Sequence, residues 1–136
     1  VWSAFSSRFR WVAGVAGNHD DVTRVTNLPS ADVLDVNVVE RDGLRIGGVG
    51  FIVGNPNKPG RRSEQDQLDG LALVLAEHPD VLVLHEGPSG PEGFGGNTDL
   101  RTGATLTVCG HVHWPSARWA DDASVVNVCE RVLVLT

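Results

Sequence analysis

Side chains of types that can bind metal ions follow three short apolar segments of this 136-residue sequence. Asn18 and His19 follow the first segment, His85 the second, and His111 and His113 the third. Imidazole nitrogens and an amide oxygen together suit Mn, Fe, Co, Ni or Zn better than Ca or Mg. In an open α/β sheet, ligands collect beyond the carboxyl ends of the parallel strands. The pattern therefore predicts a transition metal site where these three segments end.

The three apolar segments are predicted to be β-strands. Residues 11–16 read WVAGVA, residues 81–84 read VLVL and residues 105–109 read TLTVC. The second is apolar on both faces, which is typical of a central parallel strand. Residues 33–39 alternate polar and apolar side chains, as a half-buried strand does. An Asp-Gly pair at 42–43 then predicts a hairpin into a strand over 44–53.

One helix is predicted in the middle of the chain, from Ser63 through His78. Ser63 is its expected N-cap, Asp66 completes an approximate capping box, and Pro79 ends the helix. The predicted apolar stripe comprises Leu68, Leu71, Ala72 and Leu75.

The remaining segments are predicted to be a short helix, two loops and the strands of the tail. Residues 4–9 are expected to be the end of a short helix, and residues 55–62 a loop. The glycine-rich stretch 86–96 is expected to be a loop over a site. The tail is expected to form antiparallel strands over 116–119, 124–128 and 132–135. We expect the whole chain to form one domain over residues 1–136.

Composition narrows the classes of partner. Eleven Lys and Arg against 17 Asp and Glu leave a net charge of −6, which disfavours general nucleic-acid or anionic-membrane binding. No apolar run is long enough to span a bilayer. The two cysteines, Cys109 and Cys129, are too few for a disulfide scaffold. We therefore expect no membrane association and a cytoplasmic location.

Each of these polar residues also has an ordinary structural interpretation. A single histidine after a strand is more often hydrogen-bonded than metal-bound. Asn18 lies in a Gly-Asn-His-Asp stretch that would suit a tight turn. Trp114 and Cys109 are expected to be packing residues, and Arg61 and Arg62 solvated loop charges. The metal hypothesis is favoured because the site residues occur together.

The three motifs resemble those of calcineurin-like metallophosphoesterases. They are Gly-Asn-His-Asp at 17–20, Leu-His-Glu-Gly-Pro at 84–88 and Gly-His-Val-His at 110–113, in the order of that family. The resemblance extends over essentially the whole chain. It implies an α/β fold, a metallophosphoesterase-like two-sheet β-sandwich flanked by helices, here missing its N-terminal β-α-β portion.

The resemblance also implies a role for each motif residue. It assigns three ligands to one divalent ion, namely Asn18, His85 and His111. It assigns His113 to a second ion. The cofactors implied are divalent Mn, Fe, Zn, Co or Ni, two of them in the complete family site.

Two further residues are implied to act on the substrate. His19 would lie over the phosphate and stabilise its charge or protonate the leaving oxygen. Asp20 is implied to orient His19. The attacking group would be a metal-activated water, because no Ser or Cys stands beside a base that could make it a nucleophile.

Two motifs of the family are absent from this sequence. They are an Asp-x-His and a Gly-Asp-x-x-Asp, and residues 1–16 contain neither Asp nor His. We therefore expect one ion or none in this chain. The chain is expected to be a fragment, a natural truncation, or half of a site completed by another chain. The uncovered sheet edge predicts a homo-oligomer or a strand-swapped dimer.

The function expected from the resemblance is metal-dependent hydrolysis of phosphomonoesters or phosphodiesters. The substrate would be a small phosphate ester or a nucleotide. Two alternatives remain open at this point. One is a protein-interaction scaffold on the same fold, without catalysis. The other is a protein that binds a single metal through Asn18, His85 and His111.

Overall fold

The computed structural model describes residues 2–23, 25, 28–90, 95–97, 99, 100, 104, 106–114 and 124–130. These residues form a mixed α/β structure with a mostly β-sheet core. The helices are α1 (Trp2–Ser6) and α2 (Glu64–Ala76). The strands are β1 (Val12–Val15), β2 (Ala31–Leu34), β3 (Asn37–Arg41), β4 (Leu44–Val49), β5 (Ile52–Val53), β6 (Arg61–Arg62), β7 (Val81–Glu86), β8 (Leu106–Gly110) and β9 (Val125–Asn127).

The main sheet has five strands in the order β3-β4-β7-β8-β9. The β3–β4 pair is antiparallel, and each other neighbouring pair is parallel. The structure therefore confirms that the VLVL segment is a central strand with parallel neighbours. Two smaller parallel pairs, β1–β2 and β5–β6, complete the described sheets.

The hairpin between β3 and β4 forms where the Asp-Gly pair predicted it. Asp42 and Gly43 have φ angles of 56° and 79°. Positive φ at both central residues is the requirement of a type I′ turn, whose twist matches that of the flanking strands. Arg41 and Leu44 are the last paired residues on either side.

The single strand expected over 33–39 is wrong, because the chain changes sheets at Asp35 and Val36. Val36 has a φ of 55°, so β2 ends at Leu34 and β3 begins at Asn37. The Val36 amide donates to Gly48 O at 2.8 Å, and the Asp35 amide donates to Asn37 Oδ1 at 2.7 Å. Alternation continues through this corner, so the sequence pattern did not reveal it.

Two neighbouring boundaries also differ from the prediction. The strand expected over 44–53 is interrupted at Phe51, whose φ is 63°, and continues as the separate strand β5. The end of the expected loop over 55–62 is the short strand β6. Parallel pairing with β5 over two residues accounts for that difference.

The helix α2 begins where Ser63 was predicted to cap it. Ser63 Oγ accepts a hydrogen bond from the Asp66 amide at 3.1 Å, and the helix ends at Ala76, two residues before the predicted end. Its buried residues are Gln67, Gly70, Leu71 and Val74, with Leu68 and Leu75 partly buried. Ala72 was expected in the apolar stripe but is exposed, because the buried face is centred on Val74 and Leu71.

Two adjacent glycines of β4 show what lies on the two faces of the main sheet. A Cβ atom at Gly47 would lie 2.5 Å from Val74 Cγ1 of α2. A Cβ atom at Gly48 would lie 2.5 Å from Leu34 Cβ and 2.8 Å from Val15 Cγ1. Successive residues of a strand face opposite sides. The helix α2 and the β1–β2 sheet therefore pack on opposite faces of the main sheet.

The helix α1 starts and ends earlier than the predicted 4–9 segment. Its Trp2 ring packs on Gly14 of β1, where a Cβ atom would lie 3.0 Å from Trp2 Cη2.

Of the tail strands, the one expected over 124–128 appears as β9, which pairs in parallel with β8. The strands expected over 116–119 and 132–135 lie outside the described residues. Within the described part of the chain, no helix is long and apolar enough to cross a membrane.

Candidate metal centre

The segments that contain the predicted ligands converge at one end of the main sheet. The strands β7 and β8 are parallel neighbours, and β1 packs against β7. The Phe51 amide donates to Ala16 O at 2.8 Å and fixes the chain where it leaves β1. The turn at 17–20 therefore lies beside the carboxyl end of β7.

The turn at 17–20 is closed by its own hydrogen bonds. The Asp20 carboxylate accepts from the Gly17 amide at 2.7 Å, and the Asp20 amide donates to Gly17 O at 3.2 Å. Gly60 contacts the other side of the turn. A Cβ atom there would lie 2.5 Å from Asn18 O and 2.6 Å from Asn18 Cα. The backbone of Asn18 is thus held by contacts on two sides.

His85 meets Asn18 within this arrangement. Its Nε2 atom donates a hydrogen bond to Asn18 Oδ1 at 3.0 Å. His85 is half-buried and belongs to β7, which extends two residues past the predicted VLVL strand. A Cβ atom at Gly17 would lie 2.8 Å from His85 Cε1. The imidazole therefore occupies space that only glycine leaves free at position 17.

His111 brings a second imidazole to the same place. Its ring centroid lies 5.0 Å from that of His85, with the two planes tilted by 57°. His111 directly follows β8 and has a φ of 62°. Asn127 Nδ2 donates to Val112 O at 2.9 Å and stabilises the turn after β8. The structure thus brings Asn18, His85 and His111 together, although β1 belongs to a different sheet from β7 and β8 and not to the common sheet that was expected.

The surroundings of His85 lower the pKa of its imidazole. Burial lowers this pKa most, His111 and His19 lower it further, and the Asp20 carboxylate acts in the opposite direction. The net shift is below the ordinary value of 6.5. A lowered pKa keeps the imidazole neutral at physiological pH, which is the form that binds a metal.

His19 and Asp20, which the resemblance assigns to the substrate, are close to His85. His19 and Asp20 are both exposed, and both act electrostatically on His85. The Asp20 carboxylate accepts a hydrogen bond from the Gly17 amide, and among the residues that the structure describes it has no hydrogen bond with His19. Orientation of His19 by Asp20 therefore stays a prediction.

His113 has a different neighbour. Its Nδ1 atom lies 3.5 Å from Glu130 Oε2, and the two side chains are 66% and 77% exposed. The assignment of His113 to a second ion stays a prediction. Sequence reasoning did not include Glu130, and its position just past the end of β9 was the available signal.

Other candidates have structural roles. Trp114 is 3% exposed, which favours its interpretation as a packing residue. Arg62 binds both oxygens of Asp35, at 2.7 and 2.9 Å, and lies over the Phe51 ring, so it is not a free solvated charge. Cys109 is buried as expected, and burial, with a smaller effect of Cys129, raises its pKa to about 12.

The separation of two candidate donor atoms fits a shared metal ion. Two ligands that occupy adjacent octahedral positions at about 2.1 Å from an ion are about 3.0 Å apart, which is the separation of His85 Nε2 and Asn18 Oδ1. Among the described residues, no group of three or more His, Cys, Asp or Glu side chains is placed to hold a metal. The candidate set contains two such residues and one amide, so all of its donors are uncharged.

The chain matches no protein-family model and no curated protein sequence.

Proposed function

We propose that this chain binds a divalent transition metal through Asn18, His85 and His111 and hydrolyses phosphate esters with it. The observation that supports this most directly is the meeting of His85 Nε2 and Asn18 Oδ1 at 3.0 Å, with the His111 ring 5.0 Å from the His85 ring. The three residues come from three separate segments of the chain. An amide oxygen with two imidazoles suits Mn, Fe, Co, Ni or Zn.

We further propose that the fold is a metallophosphoesterase-like two-sheet sandwich. The packing of the β1–β2 sheet on the face of the main sheet opposite α2 supports this proposal. The three resembling motifs also lie at the same end of the main sheet. The single set of Asn18, His85 and His111 makes one ion per chain the proposed content.

Each residue of the candidate site has a proposed role. Asn18, His85 and His111 offer uncharged ligands, and the lowered pKa of His85 favours its neutral imidazole, whose Nε2 proton a metal ion would replace. A divalent ion held by these residues would supply Lewis acidity, which lowers the pKa of a water molecule and polarises a phosphoryl oxygen. The Asp20 carboxylate places a negative charge beside an uncharged ligand set.

His19 is proposed as the proton donor to the leaving oxygen. It is exposed at the edge of the ligand group and lies within electrostatic range of His85. A positioned general acid contributes about 10²- to 10⁴-fold to a rate, and more when the leaving group is basic. A p-nitrophenolate leaving group needs little protonation, whereas an alkoxide needs a full proton.

Hydrolysis of p-nitrophenyl phosphate, bis-p-nitrophenyl phosphate and an alkyl phosphate with added Mn²⁺ tests the proposal. We expect turnover by the unaltered chain and none by His85→Ala. His19→Ala should lose roughly 10²-fold with the alkyl ester and much less with the p-nitrophenyl esters. His78→Asn, which changes an exposed histidine after α2, is the matched control and should retain full activity. Equal rates for His85→Ala and the unaltered chain would exclude the proposed site.

A further inference from the structure

Glu86 directly follows His85, and its carboxylate binds a backbone amide of another strand. Glu86 Oε2 accepts a hydrogen bond from the Val53 amide at 2.8 Å, in a partly buried position. Within the described part of the chain, Glu86 forms no ion pair. The side chain therefore joins the last residue of β7 to the backbone of β5.

The β5 strand connects this hydrogen bond to Asn18. The Ile52 amide donates to Gly60 O at 3.2 Å. Gly60 in turn lies against the backbone of Asn18, where a Cβ atom would be 2.5 Å from the Asn18 carbonyl oxygen. Two hydrogen bonds and one close backbone contact thus connect Glu86 to Asn18.

The β5–β6 pair needs such an anchor. Each strand has two residues, and an isolated pair of short strands is at best marginally stable. The carboxylate of Glu86 attaches β5 to β7, a six-residue strand in the middle of the main sheet. The same rigid strand contributes His85.

We propose that Glu86 is a positioning residue of the metal centre. By holding Val53 it keeps Gly60 against Asn18, and so keeps Asn18 Oδ1 opposite His85 Nε2. This inference rests on the proposed function, because it assigns the Asn18–His85 geometry to metal binding. Glu86 itself is not a ligand in this proposal.

Titration with Co²⁺ alone, followed by visible absorption, tests the role of Glu86. Glu86→Ala removes the hydrogen-bond acceptor and should weaken Co²⁺ binding about tenfold. This is the lower end of the loss in affinity found when a residue that supports the metal ligands is removed. Its absorption bands should also change, because the Asn18 oxygen is no longer held. Glu86→Gln keeps an oxygen acceptor and should bind within about twofold of the unaltered chain. Glu40→Ala removes an exposed glutamate of β3 and should change neither property.

Two results would overturn the inference while leaving the metal site intact. One is Glu86→Ala with the affinity and spectrum of the unaltered chain. The other is equal weakening in Glu86→Gln and Glu86→Ala, since that result assigns the effect to charge and not to the hydrogen bond. If Glu86→Ala does not fold, Glu86→Asp, whose shorter carboxylate cannot reach Val53 in the same way, takes its place.

A second measurement on the metal-free protein separates this inference from the proposed function. The side-chain amide resonances of Asn18 should shift in Glu86→Ala and stay in place in Glu86→Gln. If the unaltered chain binds no Co²⁺, the proposed function fails. Unchanged Asn18 resonances in Glu86→Ala would instead show that Glu86 does not position Asn18.

Discussion

His85 Nε2 lies 3.0 Å from Asn18 Oδ1, although the two residues are 67 positions apart in the sequence. Two glycines make this contact possible. Gly17 leaves room for the His85 ring, and Gly60 lies against the backbone of Asn18. The geometry of the candidate site therefore depends on close backbone packing as well as on the ligands themselves.

Replacing Gly60 with alanine should destabilise the protein more than the same change at Gly43. Both glycines have positive φ, 69° and 79°, so alanine costs about 1 kcal/mol at either position from backbone strain. A Cβ atom at Gly60 also overlaps the Asn18 backbone, whereas nothing lies within 4 Å at Gly43. Overpacking adds about 1–3 kcal/mol. Urea denaturation measures the difference, and equal losses of unfolding free energy would contradict the contact.

The stability of the metal-free protein should fall as the pH drops below about 6.5. Burial and His111 lower the pKa of His85 in the folded state, so the unfolded chain takes up this proton first. Where the unfolded state binds more protons, unfolding free energy rises with pH and is lost as pH falls. Urea midpoints at pH 7.5 and 5.5 in EDTA should therefore differ more for the unaltered chain than for His85→Gln. The same pH dependence in both proteins would argue against a buried, neutral His85.

Cys109 should resist alkylation in the native protein. The residue is 1% exposed, and burial raises the pKa of its thiol from 9.0 to about 12, so the reactive thiolate is absent at pH 8. In a Cys129→Ser variant, iodoacetamide should label Cys109 only after denaturation, as measured by peptide mass spectrometry. The same shift implies that stability declines as pH rises above 9, because the unfolded thiol then loses its proton first. Rapid labelling of the native variant would contradict the burial of Cys109.

Local signals predicted much of the fold. The Asp42-Gly43 turn, the Ser63 cap and the doubly apolar 81–84 strand each depend on residues adjacent in sequence, and each occurs at the expected place. The closeness of His85 and His111 follows from their positions at the carboxyl ends of the parallel neighbours β7 and β8. Asn18 follows β1, which belongs to a separate two-stranded sheet, so its approach to His85 depends on the packing of one sheet on the other.

The remaining features depend on contacts between distant segments. Val36 interrupts an alternating pattern with a positive φ, and its amide there donates a hydrogen bond to Gly48 O on the neighbouring strand β4. The hydrogen bond from Val53 to Glu86 and the contact of Gly60 with Asn18 join segments far apart in the sequence. No local pattern contains this information, so these supports of the site were missed.

Calorimetric titration with Mn²⁺ and Co²⁺ tests the central claim most directly. The account predicts one ion for each unaltered chain and binding at least about tenfold weaker in His85→Ala and Asn18→Ala. His78→Asn should bind like the unaltered chain. Absence of binding by the unaltered chain, or equal binding by all four proteins, would contradict the proposal that Asn18, His85 and His111 form a metal site.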